Sequence, residues 1–168
     1  YGNRLHSETG NIAERLAGIF DVTFRRGGNV IIPSFAVGRA QELLYIIREI
    51  KEKRLVASIS DFPVYIDSPL ALEATAIYSG DLREYADEET AALMRRGINP
   101  ISFKNLRLSP TAEDSMRLNA DTTPKVIISS SGMCEAGRIR HHLKHNLWRP
   151  ECSVVFVGYQ ANGTLGRI

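Results

Sequence analysis

Four short runs of apolar residues recur along this chain, and helical periodicity fills the intervals between them. The runs are NVIIP at 29–33, PVYID at 63–67, VIIS at 126–129 and SVVFV at 153–157. None alternates apolar with polar residues, so each predicts a strand that is covered on both faces. Strands that alternate with helices predict an α/β fold, a three-layer α/β/α domain with a mainly parallel sheet of about four to six strands.

The helices are predicted from apolar residues that recur at three- and four-residue intervals. They span residues 8–24, 38–54, 70–78 and 135–147, and a further helix starts at 163. In the first helix the predicted buried stripe is Ile12, Leu16, Ile19 and Phe20. Gly27 and Gly28 follow this helix and end it.

The segment from Gly80 to Pro124 interrupts this alternation of strands and helices. It predicts a charged helix at 81–96, an edge strand at 101–103 and a short helix at 111–118. We interpret this segment as a peripheral excursion from the main sheet.

Length and composition fit one globular domain across residues 1–168, with 43% hydrophobic and 24% charged residues. No apolar run approaches the roughly 20 residues of a membrane span, and no signal peptide is recognisable, so no membrane partner is expected. Cys134 and Cys152 are too few for a disulfide framework, which favours a reducing, cytoplasmic compartment. Residues 125–168 carry six Lys or Arg against two acids, a balance that suits a polyanionic partner.

Each predicted strand ends in small or hydroxylic residues just before a helix. Ligands of open α/β sheets bind at the carboxyl ends of the strands, and helix N-termini favour anions. We therefore predict a phosphate-binding rim made of Arg39, Ser68, Ser129, Ser130, Ser131, Gly132, Arg138 and Thr164. The alternative is that these residues only cap helices, which is the role that we predict for Asp67.

Other catalytic signals are weak. His141 and His145 are spaced to share a helix face, but no third ligand stands at zinc-site spacing, so we predict no metal site and no catalytic residue in this chain. His142 or His145 is expected to pack at the helix edge or to touch RNA. An unrelated nucleotide-binding domain is the weakest alternative, because no phosphate-loop motif is present.

Five motifs, in order and spacing, resemble the β-CASP domain of RNA-processing nucleases of the metallo-β-lactamase fold. They are YGNRLH (1–6), GGNVIIPSFAVGRAQELL (27–44), PVYIDSPLA (63–71), SSSGMCEAGRIRHHL (129–143) and GYQANGTLGR (158–167). That group includes the endonuclease of messenger-RNA 3′-end cleavage and its bacterial and archaeal relatives.

The resemblance implies a specific role. In that family the β-CASP domain caps a metallo-β-lactamase domain, and RNA is hydrolysed between the two by a water that two zinc ions activate. The zinc ligands of the family match no residue of this chain, so the chain is expected to be the cap of a longer enzyme, inactive alone and without a cofactor of its own. The expected partners are RNA and the metallo-β-lactamase domain of the same polypeptide, with the oligomeric state open. The alternative is a non-catalytic interaction or scaffold domain of an RNA-processing complex.

Overall fold

A computed structural model describes residues 11–80 and 85–168 of the chain. The YGNRLH motif, the first residues of the helix predicted from Glu8, and residues 81–84 of the predicted charged helix lie outside the described residues.

The centre of the fold is a five-stranded sheet in which every pairing is parallel. The strands are β1 (Val30–Pro33), β2 (Val64–Asp67), β3 (Leu106–Leu108), β4 (Val126–Ser129) and β5 (Ser153–Val154). Their order across the sheet is β3-β2-β4-β1-β5. The predicted α/β fold with a parallel sheet is confirmed.

Six α-helices connect the strands, and a 3-10 turn at Leu165–Arg167 follows the last strand. They are α1 (Ile12–Arg25), α2 (Arg39–Glu52), α3 (Pro69–Tyr78), α4 (Glu88–Arg95), α5 (Ala112–Ala120) and α6 (Ile139–Asn146). No helix within the described ranges is both long and apolar enough to cross a membrane.

Two apolar layers cover the two faces of the sheet. On one face, α1, α2 and the start of α3 pack over Val30, Ile32 and Ile128, and the rings of Phe20, Phe24 and Phe62 meet there. On the other face, α5 and α6 cover Ile31 and Ile127 through the side chains of Leu118, Ile139 and Leu143. Alternate residues of one strand therefore enter opposite layers, which explains why the strand sequences show no polar alternation.

The predicted buried face of α1 is half wrong. Leu16 and Phe20 are buried, but Ile12 and Ile19 are 47% and 39% exposed. Ala13, Ala17 and Phe24 are buried instead. The buried face of α1 is therefore centred on Leu16, Phe20 and Phe24 with two alanines beside them, and it is rotated away from Ile12 and Ile19.

The excursion at 80–124 is not peripheral. The edge strand predicted at 101–103 lies instead at Leu106–Leu108, where it pairs with β2 in the register Val64 to Leu106. The segment also supplies α5, which covers one face of the sheet through Leu118.

Three other elements are shorter than predicted. The helix predicted from Glu135 begins at Ile139, because turns occupy residues 132–137 and Gly137 has a φ of 80°. The strand predicted to Val157 ends at Val154, and the helix predicted from Gly163 is only the 3-10 turn.

Candidate functional site

The three central strands end level with one another. Ser129 of β4 is in register with Pro33 of β1 on one side and with Asp67 of β2 on the other. The prediction that all four strand exits share one level is confirmed for these three strands, whereas β5 ends at Val154, which is in register with Ile31 rather than with the end of β1. We call this border of the sheet the carboxyl edge.

A buried carboxylate organises the carboxyl edge. Asp67 is fully buried, and its Oδ1 accepts a hydrogen bond of 2.8 Å from Arg138 Nη1. Its Oδ2 accepts one of 2.5 Å from the hydroxyl of Ser115 and lies 2.5 Å from Nε2 of His142. The other ring nitrogen of His142 lies 2.9 Å from Asn119 Oδ1. We call these five residues the Asp67 cluster.

The cluster keeps its carboxylate ionised. Burial alone raises the pKa of Asp67, but the hydrogen bonds from His142, Ser115 and Arg138 hold the pKa below its ordinary value. A buried carboxylate with this many donors is satisfied and pre-oriented.

The role predicted for Asp67 is therefore wrong. The N-cap of α3 is the next residue, Ser68, whose hydroxyl accepts from the backbone N–H of Ala71 at 3.3 Å. Asp67 instead joins β2 to α5 and α6, and three of its side-chain partners lie 48, 71 and 75 residues along the chain.

Arg138 lies at the carboxyl edge, but its guanidinium serves internal acceptors. Besides Asp67, Nη1 donates to the carbonyl of Ser109 at 2.7 Å, and Nη2 donates to the carbonyl of Pro110 at 3.0 Å. The side chain is only 20% exposed. In this structure Arg138 ties the exit of β3 to the start of α6, and its contact with substrate stays a prediction.

The serine-rich exit of β4 is folded back on itself. Ser129 is buried and its hydroxyl donates to the carbonyl of Asp67 at 2.8 Å. The carbonyl of Ser130 accepts from the N–H of Ile139, and the hydroxyl of Ser131 accepts from the N–H of Ala136. Ser130 and Ser131 are half-buried, so part of their surface faces solvent at this edge.

Gly132 and Gly137 are shaped by close neighbours. A Cβ at Gly132 would lie 3.1 Å from the backbone nitrogen of Phe35. The carbonyl of Gly132 accepts a hydrogen bond of 2.9 Å from Gln160 Nε2. A Cβ at Gly137 would lie 2.3 Å from the carbonyl oxygen of Ser130. The loop after β4 therefore has a fixed course, and Gly132 is buried within it.

Arg39 and Thr164 complete the predicted rim. Arg39 is the first residue of α2, its side chain is 42% exposed, and it forms an ion pair of 2.6 Å with Glu42. Thr164 precedes the 3-10 turn, and its hydroxyl donates to the carbonyl of Ala161 at 2.7 Å. Of the two predicted arginines, Arg39 is the more accessible.

The histidines of α6 face different environments. His141 and His145 are exposed, whereas His142 is fully buried and bound to Asp67, so of the two histidines expected at the helix edge or on RNA only His145 is exposed. Across residues 11–80 and 85–168, no three His, Cys, Asp or Glu side chains converge in a way that could hold a metal ion.

The outer face of α6 carries basic residues of the last third of the chain. Arg140, His141 and Lys144 line a groove of about 1080 Å³ together with Trp148, which is 75% exposed. The opposite face of the helix holds His142 against Asp67 of β2. The groove and the Asp67 cluster are thus on different sides of α6.

Sequence reasoning missed the residues that α5 contributes to the cluster. Ser115 and Asn119 are one turn apart on α5, so both face His142 and Asp67. The one sequence signal was an acidic residue at the end of an otherwise apolar strand, which needs a partner when buried.

Comparison with known proteins places the chain in a family. A family model described as the Beta-Casp domain matches residues 40–168. Ribonuclease TTHA0252 of Thermus thermophilus is 39% identical over 166 residues, which are 99% of this chain and 37% of the relative. Transcription termination factor FttA of Methanocaldococcus jannaschii is 38% identical over 157 residues, which are 92% of this chain and 24% of the relative.

A third relative is the RNase J-like protein of the same archaeon, 37% identical over 145 residues, which are 86% of this chain and 31% of the relative. The chain therefore spans well under half the length of these relatives. The family model nevertheless covers most of the chain, from early in α2 onwards. The chain belongs to the Beta-Casp domain family.

Proposed function

We propose that this chain is the RNA-binding cap of a zinc-dependent ribonuclease, and that RNA phosphates pass along the carboxyl edge. The level ending of β1, β2 and β4 is the observation that supports this proposal most directly. It brings the exits of three strands, and the N-termini of α2 and α3 beside them, to one border of the sheet, where anions are favoured.

The relatives support RNA as the substrate class. Two of them are named as a ribonuclease and an RNase J-like protein. The proposed hydrolysis belongs to a metallo-β-lactamase domain of the same polypeptide, which would supply both zinc ions. The described residues do not fit a zinc site, so no step of the hydrolysis is assigned to them.

Arg39 is the side chain best placed for a phosphate contact. It is 42% exposed and its present partner, Glu42, is a surface carboxylate at 52% exposure, so the ion pair between them is weak. Exchanging Glu42 for a phosphate oxygen would cost little. The half-buried serines 130 and 131 lie on the neighbouring strand exit and would add hydroxyl donors.

The proposal is tested by RNA binding at several salt concentrations. Arg39→Ala should weaken the binding of a labelled single-stranded RNA and lower the slope of log K against log salt by about 0.7, the value for one phosphate contact on a single strand. The control is Arg25→Ala. Arg25 is also an exposed arginine in an ion pair within its own helix, but it ends α1 before β1 begins, at the opposite edge of the sheet. Equal slopes for wild type and both variants would contradict the proposal.

A scaffold role in an RNA-processing complex is the second candidate, because the names of several relatives do not themselves state a nuclease activity. They are termed transcription termination factors rather than ribonucleases. The two roles differ in cleavage: labelled RNA should be cut by the complete polypeptide with zinc if the chain caps a nuclease. Binding without cleavage by that polypeptide would support the scaffold role.

A further inference from the structure

The groove on the outer face of α6 has an excess of positive charge. Arg140, His141 and Lys144 line it and are exposed. Across residues 11–80 and 85–168, none of these three side chains takes part in an ion pair or a hydrogen bond. Glu135 is the carboxylate in the lining, and its Oε1 accepts from the backbone N–H of Leu165. The two full cations therefore remain available to an anionic ligand.

The cations lead along α6 to an exposed aromatic ring. Arg140, Lys144 and Trp148 follow one another at intervals of four residues. On a helix this interval places side chains above one another, about 6 Å apart along the axis. The helix ends at Asn146, but Leu147 keeps helical backbone angles, so Trp148 continues the same row. Its side chain is 75% exposed.

The rest of the groove is largely apolar. Leu143 of α6 and Val154 of β5 line it, and Leu147, Phe156 and Leu165 are exposed by 66%, 44% and 47%. β5 is the last strand in the order of the sheet, so no further strand of the described residues covers this side. The groove therefore offers an apolar surface beside a row of positive charge.

Single-stranded nucleic acid has the complementary chemistry. Its phosphates carry a regular negative charge, and its unpaired bases stack on aromatic side chains. A protein partner suits the groove less well, because lysine is depleted at the core of protein interfaces. We propose that the groove binds a single-stranded segment of RNA, with phosphates on Arg140 and Lys144 and a base stacked on Trp148.

This second site takes RNA as its ligand from the proposed function, but it lies apart from the carboxyl edge. The Asp67 cluster and the groove are on different sides of α6. Two linked sites hold a long strand more tightly than either site alone, provided that the strand reaches both. The substrate class that this arrangement favours is therefore RNA with an extended unpaired segment.

The intrinsic fluorescence of the chain tests the stacking directly. Trp148 is its single tryptophan, so the emission reports on the groove alone. We expect a short oligouridylate to quench this emission and to shield the indole from iodide. Pairing the same strand with oligoadenylate should remove most of the quenching, since the base faces are then stacked within the duplex. Binding of labelled oligouridylate that leaves the emission of Trp148 unchanged would overturn the proposal.

Substitutions separate the charge from the stacking. Arg140→Ala with Lys144→Ala should lower the slope of log K against log salt by about 1.4, twice the value for one phosphate contact. Trp148→Leu should weaken binding about tenfold without changing the slope, and Trp148→Phe should restore most of the affinity. The matched control is Arg25→Ala with Lys53→Ala, which removes two exposed cations from α1 and the end of α2. An equal fall in slope for the control would contradict the proposed contacts.

The two RNA sites fail separately in these assays. Quenching of Trp148 without any effect of Arg39→Ala on the salt slope would reject the carboxyl edge alone. An effect of Arg39→Ala without quenching would reject the groove alone. A protein segment is the competing occupant, and hydroxyl-radical footprinting of the complete polypeptide detects it. Protection of Trp148 from oxidation in the absence of RNA would show that protein covers the groove and would overturn the proposal.

Discussion

Replacing Asp67 by asparagine should remove much of the stability of the domain. The carboxylate is fully buried and accepts from Arg138 and Ser115 while facing His142. Asparagine has the same shape, but it has only one acceptor oxygen. Its NH₂ group would replace the second oxygen and would face a group that donates a hydrogen bond to Asp67. Removing one partner of a buried ion pair costs about 3–5 kcal/mol. Since Arg138 is 20% exposed and can recover some hydration, we expect about 3 kcal/mol.

Urea unfolding followed by circular dichroism measures this loss. Thermal unfolding gives a second measure: domains of this size unfold about 2–4 °C lower for each kcal/mol, so Tm should fall by roughly 6–12 °C. The control is Asp61→Asn, because Asp61 is also paired with cations, Lys104 and Lys51, but is 39% exposed. Surface pairs contribute about 0–1 kcal/mol. An Asp67→Asn variant within 1 kcal/mol of the control would show that the cluster does not hold the helices in place.

Three further results are expected. The pKa of Asp67 is lower in the folded chain than in the unfolded chain. The stability that its carboxylate contributes is therefore complete above an unfolded pKa of about 3.9 and is lost as pH falls through the lower folded value. In an acid titration followed by circular dichroism, Asp67→Asn should lack this loss of stability. Gly137→Ala should lower the free energy of unfolding by about 1 kcal/mol more than Gly97→Ala does. Both glycines have positive φ, but only at Gly137 would a Cβ meet a backbone oxygen, at 2.3 Å. Equal urea midpoints for the two variants would contradict this. Truncating Phe62, which meets Phe20 and Phe24 in the core, should cost about 3–5 kcal/mol in the same unfolding assay, and a smaller loss would mean that the aromatic cluster repacks.

The sequence predicted the centre of the fold well because burial on both faces leaves a simple signature. The runs ending at Pro33, Asp67 and Ser129 contain almost only apolar residues, and all three are central strands. Their helices were also predicted, with ends that moved by a few residues.

The edges of the fold were harder to predict because pairing, not composition, determines them. Leu106–Leu108 has an arginine in its middle and looks less strand-like than the earlier residues 101–103. It forms a strand because β2 presents an unpaired border there, and Tyr65 stacks near Arg107 across the pair. A single sequence does not contain that information.

The sequence predicted where the candidate site lies but not which hydrogen bonds its residues form. Strand ends and helix starts correctly located the carboxyl edge, but the hydroxyls of Ser68 and Ser129 turned out to serve internal hydrogen bonds. The Asp67 cluster escaped notice because α5 and α6 bring its members together from distant parts of the sequence. Only the tertiary fold makes them neighbours.

The strand order has a consequence for synthesis of the protein. Val30, made early, pairs with Val126 on one side and with Ser153 on the other, both made late. While a ribosome produces the intervening residues, the apolar strand β1 has no permanent neighbour, and β2 has only the short β3. Long loops must then close before the central ladder forms, which makes folding slow and leaves nascent chains exposed to aggregation. Chaperone binding should therefore be strongest before β4 emerges and should decline sharply once it has paired.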